Sequence, residues 1–167
     1  ELNPDEGLWL AAALRFSKDI VPWRAPITDT SGPLTPWLLT LIGYLGAPLN
    51  YVTAHFVAIG LQIVTICLAY GTLRIVFSEI PARLATMPVA LLLSRTGDPE
   101  FIHLSSENVP IALMAGCAFS AAQALKVSKL NGKAKGWFFI AGSFAGSVGF
   151  AKLQAGPMTL VMAIFIV

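Results

Sequence analysis

The chain has 167 residues, of which 56% are hydrophobic and 12% charged, with a formal net charge of +2 and a mean hydropathy of +0.72. Soluble domains are usually about a quarter charged, so this composition excludes an ordinary water-solvated fold and points to the bilayer as solvent. The net charge says little by itself, because in a membrane protein charge matters by side rather than by sum; no nucleic-acid partner is expected.

Segment 5 to 20 reads as an amphipathic helix lying in the membrane interface. Leu8, Trp9, Leu10, Ala13, Leu14, Phe16 and Ile20 gather on one face, with Arg15, Lys18 and Asp19 on the other. Pro22, Pro26, Gly32, Pro33 and Pro36 then interrupt regular structure, and a second short apolar helix follows, about 36 to 46. Nothing charged occurs between Asp29 and Arg74, and Tyr51 to Leu73 supplies 23 residues, enough for a spanning helix. The return, Leu84 to Ser94, has only 11 residues between Arg83 and Arg95. Its arginines must snorkel or the helix must be re-entrant. A span from Asn108 to Leu125 comes next, then a span from Gly136 to Ala151, and Gln154, Gly156 and Pro157 turn the chain into a last apolar run, Met158 to Val167. Gly142 and Gly146 stand in the GxxxG spacing that lets a neighbouring helix approach closely.

Charge distribution sets the expected sidedness. Lys126, Lys129, Lys133 and Lys135 fill one loop that holds no acid, which marks it as cytoplasmic. Counting spans outward puts Arg74 to Arg83 on that side and 1 to 50, 95 to 107 and Lys152 on the other. Eight of the nine acids (Glu1, Asp5, Glu6, Asp19, Asp29, Asp98, Glu100 and Glu107) then share the outer face. The expected architecture is an all-α polytopic transmembrane bundle, with 1–50 as an outer loop carrying interfacial helices and 51–167 as about five transmembrane helices. Residue 1 is Glu and the chain stops inside an apolar run, the pattern of a fragment. Cys67 and Cys117 lie in apolar runs without ligand spacing and read as packing residues.

The polar residues of the outer face have structural explanations as well as chemical ones. Asn3 as N-cap, Pro4 at the first helical position, Asp5 at the helix dipole and Glu6 closing a capping box account for the first cluster. A carboxylate held there is also placed to act as a general base on an acceptor hydroxyl. Asp29 fits a solvated turn, Glu107 the N-terminus of the following span, His103 an interfacial hydrogen-bonding role, and Lys152 a snorkelling lysine beside Gln154.

Taken in order, Asp5-Glu6, Asp29-x-x-Gly32-Pro33-Leu34, His103-x-x-Ser106-Glu107-x-x-Pro110 and Ala151-Lys152-x-Gln154 resemble the N-terminal half of GT-C fold glycosyltransferases. The dolichyl-phosphate-mannose protein mannosyltransferase and aminoarabinose transferase-like superfamily is the closest in pattern. The resemblance implies a multi-pass enzyme, in the cytoplasmic membrane of a bacterium, that transfers a sugar with inversion from a polyprenyl-phosphate carrier to a lipid, glycan or protein acceptor on the outer or lumenal face. It implies Asp5 and Glu6 as catalytic residues, and a spanning helix before them that this chain lacks. Many relatives carry His or Lys where Ser31 stands, so donor binding passes to Arg24, Asp29, His103, Glu107, Lys152 and Gln154. The implied partners are the bilayer and the lipid-linked sugar donor; a divalent metal is left open. The alternative is a transporter with an acidic outward vestibule, but transporters concentrate polar groups at the bilayer midplane, where these spans are poor in ionisable residues.

Overall fold

The structure, a computed structural model, describes residues 4–21, 31–98, 101, 103–130 and 133–166. It is all-helical among these residues: α1 (Pro4–Phe16), α2 (Leu34–Tyr44), α3 (Tyr51–Val76), α4 (Glu79–Arg95), α5 (Asn108–Lys129), α6 (Lys135–Ala151), a 3₁₀ turn (Leu153–Ala155) and α7 (Gly156–Ile166). The single β-type pairing is an isolated antiparallel bridge between Ser31 and Lys152.

Local chemistry sets the helix limits. Asn50 caps α3 by accepting the Thr53 N–H at 3.0 Å on its side-chain oxygen, satisfying one of the donors every helix start leaves over. Gly46 takes φ +97° after α2, a conformation that favours glycine. Helix α1 ends at Phe16, earlier than the periodicity predicts, and its buried face is Glu6, Trp9, Leu10, Ala12, Ala13 and Phe16. Leu8, Leu14 and Ile20, expected on that face, are exposed. Polar side chains of α2 take up carbonyls at and beyond the end of α1: Tyr44 donates to Ser17 O at 3.2 Å, Trp37 to Ile20 O at 3.3 Å, and the Thr40 hydroxyl is shared between Ala13 O and Pro36 O. These bonds dock α2 across α1.

The main bundle is built on α5, which packs between α3 and α6, with α4 against α3 and α7 against α6. Two apolar centres hold it. One lies under the short helices and joins Trp9, Leu10, Ala13, Leu39, Ala54, Val57, Ala58 and Leu104; the other joins Cys117, Ala121 and Ala141, with Phe144 packed against it. Between the long helices, glycines approach closely at Gly71, where an added Cβ would meet the Phe119 ring at 2.8 Å, and at Gly116, where it would meet Phe144 at 3.0 Å. The expectation for Gly142 and Gly146 is corrected here: among the described residues nothing lies within 4 Å of a Cβ at either. GxxxG spacing creates a groove without supplying its partner. Cys67 and Cys117 are free thiols.

Helices α3 (26 residues) and α5 (22 residues) are long and apolar enough to cross a membrane, and only 11% and 28% of their most apolar windows are buried within the protein. Many of their apolar side chains, Phe56, Ile63 and Ile111 among them, face outward. Among the described residues, these two of the expected spans have the length and composition of a membrane crossing. Helix α4 begins at Glu79, before the expected Leu84, and α4 and α6 have 17 residues each, about 25 Å at helical rise against a hydrocarbon core of about 30 Å.

Candidate functional site

Three chain segments that the charge pattern assigns to one face meet at one end of the bundle. Glu6 lies in the first turn of α1, where the helix dipole favours a carboxylate. Its side chain is 1% exposed. Oε1 accepts the Leu104 N–H at 3.2 Å, and Oε2 lies 2.9 Å from Nε2 of His55, one turn into α3; Asn3, the expected partner in a capping box, lies outside the described residues. His55 stacks on His103, with ring centroids 4.7 Å apart and planes 15° apart. These are the two histidines of the chain. His103 is buried at 8% exposure and is thus one of a stacked pair rather than the lone interfacial histidine expected.

Glu6 Oε2, His55 Nε2 and His103 Nδ1 are all buried atoms without a hydrogen-bond partner. For the first two, this means that their 2.9 Å approach is not a directed N–H to oxygen bond. One ligand atom from each of Glu6, His55 and His103 lies within 4.8 Å of the others.

The segment that carries His103 also organises the second half of the site. Asn108 Oδ1 accepts from the Ser105 N–H at 2.6 Å and from its hydroxyl at 2.9 Å, and the Ser105 oxygen takes the Glu107 N–H at 3.3 Å. This fixes the turn into α5. Lys152, just past the end of α6, donates to Ser106 Oγ at 3.1 Å and pairs with Glu107 Oε1. The lysine side chain is 14% exposed and the glutamate 56%, so Lys152 is a bonded, largely covered cation and not a snorkelling one. Gly32 completes the join: its N–H donates to Ala151 O at 3.0 Å, and a Cβ there would stand 1.7 Å from Phe150 O.

Of the residues expected to act, Glu6, His103, Glu107 and Lys152 are therefore drawn to one end, with Gln154 exposed beside Lys152 and Asp5 exposed beside Glu6. Arg24 and Asp29 lie outside the described residues. Two participants escape the sequence reading. His55 sits inside the apolar run of α3, where the cost of a buried polar ring is itself the signal. Gln62, a further two turns along, donates its side-chain N–H to Phe101 O.

Two cavities open at this end. One of about 350 Å³ is bounded by Gln62, Thr65, Phe101, Ser105, Glu107 and Asn108. The other, about 300 Å³, is bounded by Glu107, Pro110, Met114, Lys152, Gln154 and Met158. A larger cavity of about 800 Å³ lies at the opposite end, with Lys126 and Lys129 but neither acid nor histidine in its lining. It offers apolar volume and charge, not acid–base chemistry. At that end Glu79 pairs with Arg83 and lies 3.8 Å from Arg74, and the Tyr70 hydroxyl together with Glu79 holds the Arg83 guanidinium above its usual range.

No protein-family model, curated protein or solved structure matches this chain.

Proposed function

We propose that the chain forms part of a polytopic membrane glycosyltransferase that moves a sugar from a polyprenyl-phosphate carrier to an acceptor hydroxyl at the outer face. The observation that carries this reading is the double grip of segment 103–107: it binds the Glu6 carboxylate through Leu104 and the Lys152 ammonium through Ser106 and Glu107. Leu104 and Ser106 are two residues apart, at most about 7 Å along the chain. An anion at the start of α1 and a cation at the end of α6 are thus tethered to one short mount.

Such a mount suits transfer from phosphate to hydroxyl. Asp5, exposed next to the anchored Glu6, takes the acceptor's proton as its oxygen attacks the anomeric carbon from the face opposite the phosphate. The carbon–oxygen bond to phosphate breaks, and polyprenyl phosphate departs with the electron pair. Lys152 has three N–H donors; two are engaged by Ser106 and Glu107, and the third serves the phosphate in the cavity shared with Gln154. The carrier's tail reaches that cavity along the outward apolar surface of the helices. Donor and acceptor held this way react as one unit.

In the complete protein, Asp5→Asn is expected to lower release of polyprenyl phosphate from a panel of lipid-linked sugars by about 10² to 10⁴-fold at unchanged protein level. Wild-type transfer by Asp5→Asn would overturn the assignment of the base, and solute counterflow in proteoliposomes without any transfer would replace the enzyme by a transporter.

A further inference from the structure

Glu6, His55 and His103 converge where α1, α3 and the 103–107 segment meet, and each has a buried ligand-type atom that lacks a hydrogen-bond partner. We propose that Glu6, His55 and His103 bind a transition-metal ion, zinc above all.

The first support is satisfaction. Burying a carboxylate oxygen and two ring nitrogens without directed hydrogen bonds is costly, yet Glu6 Oε2, His55 Nε2 and His103 Nδ1 are all in that position. A proton shared between Glu6 and His55 would serve two of them and leave His103 Nδ1 untouched. A cation at their centre serves all three.

The second support is the donor set. Two imidazoles and one carboxylate select zinc and its first-row neighbours, whereas magnesium and calcium prefer oxygen alone. Ligand atoms around a tetrahedral zinc stand about 3.3 Å apart, given bond lengths of about 2.0 to 2.2 Å. The Glu6 to His55 pair is already at 2.9 Å, and one ligand atom from each of the three residues lies within 4.8 Å of the others, so binding would need only side-chain movement. The Leu104 N–H bond to Oε1 fixes the carboxylate so that its other oxygen faces the rings, the outer-shell support that metal ligands commonly receive. Three protein ligands leave a fourth position, as in zinc sites that keep one place for water or a ligand. The ion would staple α1 to α3 and to the turn before α5. Nothing in this site depends on the glycosyltransferase reading.

The test is zinc content of the complete protein, purified in detergent with an affinity tag free of histidine, after equilibration with zinc and dialysis into metal-free buffer. One zinc retained per wild-type chain, falling to background in His55→Ala at unchanged elution from a sizing column, is the expected result. Wild type without retained zinc overturns the site, as does retention by both His55→Ala and His103→Ala. If the variants do not fold, X-ray absorption at the zinc edge of wild type decides: imidazole scattering supports the site, and zinc bound without it contradicts the assignment.

Discussion

Asp5 and Glu6 are neighbours in sequence and opposites in environment, one exposed and one 1% exposed, so their substitutions are expected to separate stability from activity. Glu6→Ala leaves the Leu104 N–H buried without its acceptor and is expected to cost about 1 to 3 kcal/mol, read as a fall in thermal unfolding temperature in detergent. Asp5→Asn, which keeps the side-chain shape and removes a charge from the first turn of α1, is expected to cost less than about 1 kcal/mol. Equal destabilisation by the two would mean that both act as helix-start residues and that Glu6 has no separate anchoring role. At the lysine, Glu107→Gln removes a half-exposed partner and is expected to cost less than about 1 kcal/mol, while Lys152→Ala also strips the cation from the cavity and is expected to weaken donor binding; donor binding equal to wild type would contradict the phosphate role. Glu6, His103, Glu107 and Lys152 are legible as polar residues flanking apolar runs, because charge is expensive in hydrocarbon and so marks where the chain leaves it. Their bonds are not legible. A carboxylate in a capping-box position and a carboxylate reaching 98 residues along the chain to Leu104 have the same local sequence.

At the scale of elements, glycine is where reading and structure part. Spacing singles out Gly142 and Gly146, yet the position with no room for a side chain is Gly32, whose Cβ would overlap a backbone carbonyl of α6. Backbone cannot rotate away as a side chain does. Gly32→Ala is therefore expected to pull the turn before α2 off the end of α6, at about 1 to 3 kcal/mol, the usual cost of overpacking. Gly142→Ala, in an open helical position, is expected to be neutral or to gain up to about 1 kcal/mol from helix propensity. Thermal unfolding of the two variants side by side checks this, and equal effects would contradict the docking of the turn on α6. The motif Gly32-Pro33-Leu34 can be picked out in the sequence as a turn; its docking site at Phe150 and Ala151 cannot, because it depends on a segment more than a hundred residues away. Helix α4 shows the converse limit. Its apolar residues predict a short helix, and Glu79 and Arg83, four residues apart and paired, extend it toward its start through the helix spacing that favours such pairs.

For the molecule as a whole, the two ends differ in kind. Glu6 approaches His55, His55 stacks on His103 and Lys152 pairs with Glu107 at one end, and Arg74, Glu79, Arg83, Lys126 and Lys129 lie toward the other. This polarity was readable from the alternation of acidic and lysine-rich segments, since each crossing of the bundle exchanges one set for the other. The lengths of the crossing helices were less legible: α4 and α6 have 17 residues each, short of the roughly 20 of an untilted span. The direct test of the account is accessibility to a membrane-impermeant thiol reagent in intact cells, with Cys67 and Cys117 replaced by alanine. Gln154→Cys is predicted to label from outside, and Lys133→Cys only after the cells are permeabilised. Labelling of both from the same side would contradict the division of the molecule into a reactive outer end and a basic inner one.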